Sequence, residues 1–437
     1  MAFFTGFLKG PWLPWPKFLY FMLNFSVYAS YSFFFDYINK VYGVSYSAYG
    51  IMNSLTVISF FSSIAWTSLA DNCQRHTFIL IFAAVAYASA FLSLWIAQSS
   101  MQLYSQATRN LFVTVVYVIS NIFISALYPI LDNRIMFLLS QKHRNLSKDL
   151  YGRQRLWGCI GQTSVALVTG YAMECFGYPG MFAVMMLSTI IFIASVVFFE
   201  RSTLRKSSHQ VVDVNASSPL KTSETMMDSA TTEHPFKTLI TNPRFDFLMF
   251  LVLVGGIVRG IVGTYLQPYL KRYYDVGLVE FASLTVSRNV TEIGGFFIGK
   301  PLLEYFGPDA LLLMGIVAGA VRIGSYGFLP SGHGWSKIVL GIELLKGLNQ
   351  AFIVVGGIRI AHDIAPRGAE ATAQGFFSGI HGNLSNSVAG LFGSFVLTFM
   401  SDSQDSLRHL FRIAFLLSFS VAVAYLLSII YTARRKM

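Results

Sequence analysis

The chain has 437 residues, of which 54% are hydrophobic and only 12% are charged, against about 25% charged residues in an ordinary soluble domain. This composition excludes a soluble globular protein, because too few polar residues remain to cover its surface. The net charge of +11 does not indicate nucleic-acid binding, since the Lys and Arg residues lie between apolar runs, as membrane loops require. We therefore expect the lipid bilayer, and no nucleic acid, as a partner.

Apolar runs recur along the whole chain, and each is long enough for a helix that crosses a bilayer, which needs about 20 residues. The runs are continuous rather than alternating with period two, so they predict helices and not a barrel. The first six predicted spans cover 18–38, 47–70, 77–97, 108–139, 154–175 and 179–200. The last six cover 245–268, 279–304, 309–328, 336–361, 371–400 and 407–432. The predicted fold class is an all-α membrane protein of about twelve transmembrane helices.

A polar segment at 201–243 separates the two sets of six spans. It is rich in Ser and Thr and poor in aromatic residues, so it predicts a flexible linker on the cytosolic side. We expect an N-terminal six-helix bundle at 1–200 and a C-terminal one at 244–437. Two equal bundles joined by a linker are typical of a secondary transporter.

Basic residues predict the orientation of the spans. They cluster at the termini, in the linker and beside the fourth span, whereas the opposite loops hold fewer, among them Lys271, Arg272 and Arg288. Because cytosolic loops carry the excess of Lys and Arg, both termini are predicted to be cytosolic. The membrane itself, plasma membrane or organelle membrane, is left open by this pattern.

Charged residues inside the predicted spans are the candidates for function, because a charge near the bilayer centre normally faces a cavity or a partner. The candidates are Asp132, Arg134, Arg155, Arg259, Glu292, Arg322, Glu343 and Lys346. Glu343 and Lys346 are three residues apart on one helical face and could neutralise each other. Trp157 could stack on a ring-shaped solute or could serve packing alone.

The segment YGRQRLWGCIG (151–161) resembles the junction of the fourth and fifth helices in lactose permease and its relatives. These are sugar (oligosaccharide) and phenylpropionate proton symporters of the major facilitator superfamily. The resemblance implies that Arg155 binds solute and that Cys159 lies beside the solute. YPILD (128–132) is similar to the fourth-helix pattern of the family and implies a solute-binding role for Asp132.

Segments of the second half extend the resemblance. TEIGG (291–295), LLLMGIVAGAVRIGSYGF (311–328) and LLKGLNQAF (344–352) are similar to the eighth, ninth and tenth helices of the family. We expect the substrate-binding residues to be Asp132, Arg155, Trp157, Cys159 and Glu292. We expect the charge network to consist of Glu292, Arg322, Glu343 and Lys346.

The tenth span departs from the family pattern. Asn349 and Phe352 stand where lactose permease has a His and a proton-carrying Glu, and neither residue can titrate. Gln162 replaces the sugar-stacking Trp. Proton coupling would therefore have to use Glu292, Asp132 or Glu343.

Together these patterns predict a monomeric secondary transporter that moves a sugar, nucleoside or organic acid by alternating access, in symport with protons. Uniport is the next alternative, followed by a transporter-like receptor that binds solute without moving it. An enzyme is not expected, because no nucleophile has an evident base and no metal-ligand spacing occurs. No cofactor is expected apart from the proton, and no ATP-binding loop appears.

Overall fold

A computed structural model describes residues 14–73, 75–142, 147–210, 239, 241–366, 370–400 and 405–436. Its N-terminal half contains helices α1 (Pro14–Tyr31), α2 (Phe34–Tyr42), α3 (Tyr46–Ser54), α4 (Ile58–Cys73), α5 (His76–Met101), α6 (Gln106–Lys142), α7 (Ser147–Phe176) and α8 (Tyr178–Gln210). Its C-terminal half contains α9 (Pro243–Tyr274), α10 (Leu278–Phe306), α11 (Pro308–Phe328), α12 (Ser336–Ile364), α13 (Glu370–Gly379), α14 (Ser385–Phe399) and α15 (Ser406–Lys436).

These helices form twelve spans, numbered here in chain order, so the predicted fold class is confirmed. Three spans are composite: α1 and α2 form the first, α3 and α4 the second, and α13 and α14 the eleventh. A 3-10 turn at Leu55–Val57 interrupts the second span, and a π-helical segment at Ile380–Leu384 interrupts the eleventh. Nine of the helical units in the described residues are long and apolar enough to cross a membrane by themselves.

The predicted spans coincide with these units, but most helices extend beyond their apolar runs. The largest extension is α8, which continues to Gln210 and thus occupies the first ten residues of the predicted linker. A helix satisfies its backbone hydrogen bonds internally, so it need not end where hydrophobicity ends. Residues 211–238, which form most of the predicted linker, lie outside the described residues.

Two pairs of spans form the most extensive packing between the two halves. The second span packs against the eleventh through α3 and α14, and the fifth packs against the eighth through α7 and α10. The fifth, eighth and eleventh spans are the three that are not among those nine units. The eleventh is absent because the π-helical segment divides it into α13 and α14, which have only 10 and 15 residues.

Glycine allows the closest approach between the halves. A Cβ atom on Gly390 would lie 2.4 Å from the carbonyl oxygen of Gly50, and one on Gly50 would lie 2.1 Å from the Tyr265 hydroxyl. Small residues at such crossings let helix backbones touch, which is a main source of packing energy within a membrane. Within their spans, Gly50 and Gly390 both lie on the side of the membrane opposite the chain termini.

The bundle has two faces. The terminal face carries the described chain ends near Pro14 and Lys436, and the opposite face carries the loops after the odd-numbered spans. The described contacts between the halves lie between mid-height and the opposite face. Toward the terminal face the halves separate: α4 and α13, the parts of the second and eleventh spans nearer that face, make few contacts with each other, whereas α3 and α14 pack closely. A cleft between the halves therefore opens at the terminal face.

Candidate functional site

The N-terminal half contributes a polar cluster around Asp132 on α6. The Tyr20 hydroxyl donates to Asp132 Oδ1 at 2.5 Å, and Arg155 Nη1 lies 3.7 Å from Asp132 Oδ2. Behind them Asn24 donates to the Tyr20 carbonyl at 2.9 Å and accepts from the Tyr128 hydroxyl at 3.1 Å. Asp132 and Arg155, which were predicted to bind substrate, thus lie together. Tyr20, Asn24 and Tyr128 surround them and were not predicted as site residues.

The fifth span presents two faces to different surroundings. Arg155 and Cys159 are one helical turn apart and share a face. Trp157 projects elsewhere, and Lys17 Nζ lies over its ring, 5.9 Å from the ring centroid. The structure therefore does not bring Trp157 together with the other predicted substrate-binding residues, because two helical positions correspond to more than half a turn.

Asn289 on α10 connects the halves at mid-height. Its buried amide donates to the Cys159 carbonyl at 3.2 Å and to Thr163 Oγ1 at 2.7 Å. Cys159 also has Arg155 and Glu292 as electrostatic neighbours. The predicted residues of the fifth and eighth spans consequently lie around one part of the cleft.

The C-terminal half contributes an ion pair between the eighth and tenth spans. Lys346 Nζ donates to Glu292 Oε2 at 2.6 Å, and both side chains are partly buried. The helices approach closely here, since a Cβ atom on Gly347 would lie 2.2 Å from the Glu292 backbone nitrogen. Lys346 therefore pairs with Glu292 and not with Glu343, contrary to the neutralisation within one helix that spacing alone suggested.

Glu343 forms a separate network with two arginines. It accepts from Arg322 Nε at 2.8 Å, from Arg322 Nη2 at 3.0 Å and from the Tyr326 hydroxyl at 2.7 Å. Arg288 Nε also donates to it, and the carboxylate is 0% exposed. Arg288 was predicted to be one of the basic residues of the loops opposite the chain ends. The structure places it instead within the membrane, on α10. The predicted charge network divides into this group and the Lys346–Glu292 pair.

Arg259 of α9 contacts the π-helical segment of the eleventh span. Its Nη2 donates to the His381 carbonyl, to the Gly382 carbonyl at 3.4 Å and to Asn386 Oδ1 at 3.3 Å. A π-helical turn displaces the regular backbone pairing and so makes carbonyl groups available to other donors. Arg259 also interacts electrostatically with Tyr28 and Tyr31 of the first span, which belongs to the N-terminal half.

Polar contacts close the opposite face. Asp36 Oδ1 accepts from Lys271 Nζ at 2.6 Å, whereas its Oδ2 accepts from the Tyr178 hydroxyl at 2.8 Å and lies 3.1 Å from Lys40 Nζ. Nearer the centre, Asn53 donates to Thr264 Oγ1 at 3.2 Å. Lys271 and Thr264 belong to the seventh span, so both contacts join the N-terminal to the C-terminal half.

Residues 13–413 match the sequence profile of the MFS_1 like family, which covers nearly the whole chain. The chain belongs to the MFS_1 like family. The predicted membership of the major facilitator superfamily is confirmed. The protein is an integral, multi-pass membrane protein of the transporter type and not an enzyme.

Solved structures support the same fold. The nucleoside transporter NupG superposes with a TM-score of 0.74 at 14% identity, over 94% of this chain and 97% of that one. A bacterial homolog to the human lysosomal transporter Spinster, inward-facing and unoccupied, gives 0.66 at 12% identity over 95% and 97%. An auto inhibited POT family peptide transporter gives 0.64 at 11% identity over 94% and 96%. The arrangement of two six-helix bundles is consistent with these similarities.

In this member of the MFS_1 like family, the two unusual residues of the tenth span contribute to packing. Asn349 Nδ2 donates to the Gly315 carbonyl of the ninth span at 2.8 Å. Phe352 is buried in a small apolar cluster with Leu311 and Ala351. The positions that carry a His and an acid in lactose permease therefore connect the ninth and tenth spans here.

Proposed function

We propose that the protein transports a small polar organic solute, of the class of sugars, nucleosides and organic acids, by alternating access in symport with protons. One observation carries the proposal: each half supplies an ion pair to the same cleft, Asp132–Arg155 from one half and Lys346–Glu292 from the other. Carboxylates accept and guanidinium groups donate hydrogen bonds, so the two pairs can together hold hydroxyl, amide or acid groups.

The position of the cleft supports alternating access. A solute that touches both ion pairs interacts with both halves, so its binding free energy can favour one arrangement of the halves over another. The closure at the opposite face combines polar contacts, the glycine crossing and apolar packing, such as that of Phe33 against Phe281, whose ring centroids are 6.2 Å apart. Rocking of the bundles would break these contacts and form new ones at the terminal face.

The three acids differ in their suitability for proton coupling. The Asp132 and Glu292 side chains are 21% and 17% exposed, whereas Glu343 is fully buried and accepts from three donor residues. Proton exchange needs access to water, so we assign coupling to Asp132 and Glu292 and a structural role to Glu343. Protonation of Asp132 would release Arg155 to bind the solute.

Orientation and assembly complete the proposal. Basic residues are concentrated at the terminal face, so we place this face in the cytosol. The cleft then faces the cytosol in the present structure. We further propose that the monomer is the working unit, because each chain contains both halves of the cleft.

The test is a stability-shift screen of purified protein against sugars, nucleosides and carboxylates, followed by uptake into proteoliposomes. Arg155→Lys should nearly abolish uptake, because a point charge replaces a planar fork of donors. Arg359→Lys is the matched control, since Arg359 pairs with Asp363 and both side chains are well exposed. Undiminished uptake by correctly inserted Arg155→Lys protein would contradict the assignment of the site.

A solute receptor is the second candidate, and Asn349 and Phe352 favour it because transport-linked groups occupy these positions in lactose permease. The two candidates make opposite predictions for flux. A receptor would give a stability shift without uptake, whereas a transporter gives both. Uptake that leaves the pH of the medium unchanged would indicate uniport.

A further inference from the structure

Arg259 is a cation within the membrane that has only neutral hydrogen-bond acceptors. The acceptors of its Nη2 are the carbonyls of His381 and Gly382 and the side-chain oxygen of Asn386. Its Nε is buried without an acceptor. In the described part of the chain, no carboxylate oxygen lies within 4.0 Å of the Arg259 guanidinium, the distance limit for an ion pair. The charge of this guanidinium is therefore not neutralised by the protein.

The surrounding charges do not compensate for it. Glu292 is an electrostatic neighbour of Arg259, but its carboxylate already pairs with Lys346 at 2.6 Å. Glu343 is shared by two arginines. The two ion pairs at the cleft, the Glu343 network and Arg259 together contain three acids, Asp132, Glu292 and Glu343, and five cations, Arg155, Arg259, Arg288, Arg322 and Lys346. Such an excess is costly within a bilayer unless an anion enters the cleft.

Tyr28 and Tyr31 of the first span lie near enough to Arg259 to interact with it electrostatically. Tyr31 is 51% exposed although it lies at mid-height, and Arg259 is its electrostatic neighbour. Tyr28 packs against Tyr31 edge-to-face, with the ring centroids 5.7 Å apart. A phenol can donate to an oxyanion, and its ring can cover an apolar part of a solute.

We infer that the transported solute is an organic anion whose carboxylate or phosphate group binds Arg259 while its body contacts Tyr31. This inference rests on the proposed function and selects one solute class within it. A guanidinium group holds a carboxylate or a phosphate through charge-assisted hydrogen bonds, which are stronger than those that a neutral sugar or nucleoside can form. Co-transport of one proton would make the movement of a monoanion electrically neutral.

If Arg259 had a purely structural role, that role would depend on hydrogen-bond donation and not on the charge of the side chain. Its contacts with the π-helical segment involve neutral acceptors, and a glutamine amide can donate to the same carbonyls. Arg259→Gln therefore removes the charge while it keeps a donor for the segment. Effects of this variant that depend on the charge of the solute cannot come from packing alone.

The experiment uses matched pairs of solutes that differ in charge: glucose and glucuronate, uridine and uridine monophosphate, phenylpropanol and phenylpropionate. Thermal-shift titration and proteoliposome uptake are measured for the full chain and for Arg259→Gln. The control is Arg412→Gln, since Arg412 also donates to a carbonyl, that of Gly327 at 2.9 Å, but lies away from the cleft. The uridine monophosphate pair tests a phosphate group, and the glucuronate and phenylpropionate pairs test a carboxylate.

The expected result is that the unchanged protein prefers the anionic member of at least one pair, and that Arg259→Gln weakens its binding roughly 10- to 100-fold. Arg412→Gln should leave the preference intact. Should Arg259→Gln fail to fold, Tyr31→Phe and Arg259→Lys provide the test, since both should weaken the anionic member more than the neutral one.

Preference for the neutral member, or an equal loss for both members in Arg259→Gln, would overturn the inference and leave the transport proposal standing. Binding of an anionic solute without flux would retain the site of the anion and contradict transport. Failure of every pair to bind or move would contradict both proposals.

Discussion

Lys271 donates to Asp36 at 2.6 Å and thereby connects the end of the seventh span to the end of the first. Lys40 and Tyr178 contact the same carboxylate, whose side chain is only 6% exposed. Two cations and a hydroxyl thus converge on one buried acid that lies between the halves. This cluster is the principal polar contact that must open if the cleft is to reach the opposite face.

Asp36→Asn should loosen this closure, because a neutral amide replaces the partner of two lysines. We expect Cys159, which lies beside the cleft, to react several-fold faster with an impermeant maleimide added at the opposite face. The experiment needs a background in which the exposed Cys73 and Cys175 are replaced by Ser. Asp363→Asn is the control, and an unchanged labelling rate in Asp36→Asn would contradict a gating role.

Gly390→Ala should prevent closure between the second and eleventh spans, because its Cβ would lie 2.4 Å from the Gly50 carbonyl oxygen, in backbone that cannot move aside easily. We expect uptake to fall at least tenfold while the protein still inserts. Gly375→Ala is the matched control on the same span, where a Cβ meets no atom within 4 Å. Equal uptake by the two variants would show that this crossing does not limit transport.

Glu343→Gln should destabilise the protein, because it leaves Arg288 and Arg322 without their shared carboxylate. Removal of one partner of a buried ion pair costs about 3–5 kcal/mol. The measurement is denaturant unfolding in detergent, with Asp363→Asn as a surface control that should change stability by about 1 kcal/mol or less. Arg288→Gln in the Glu343→Gln background should restore part of the loss, and a stable Glu343→Gln protein would contradict a structural role.

The sequence predicted the spans well because a bilayer requires long apolar runs, and these remain visible without an alignment. It predicted the ends of the helices less well. The helix α8 extends to Gln210, since hydrogen bonding along a helix continues where hydrophobicity stops. The π-helical segment at Ile380–Leu384 was not predicted, because no side-chain pattern specifies it.

The candidate site was only partly predictable for a related reason. Intramembrane charges are rare enough to be recognised one by one, and the resemblance indicated Asp132 and Arg155 together. Partners between helices depend on how the helices pack, so spacing could not show that Lys346 pairs with Glu292. Tyr20 gave no signal because the chain contains 22 tyrosines.

Glu292→Gln tests proton coupling without removal of a hydrogen-bonding side chain. If Glu292 carries the proton, the variant should still exchange labelled solute across the membrane at equilibrium. It should no longer accumulate solute above equilibrium when a pH gradient is imposed. Accumulation at the normal level would assign coupling elsewhere, with Asp132→Asn as the next variant to measure.

Flux is the central claim, and solute uptake by purified protein in proteoliposomes tests it most directly. The vesicles carry an imposed pH gradient, and the solute is the one that gives the largest stability shift. The account predicts saturable uptake that accumulates solute with the gradient, collapses when a protonophore is added and is nearly absent in Arg155→Lys. Saturable binding of the same solute with no uptake above that of empty vesicles would contradict it and identify a receptor.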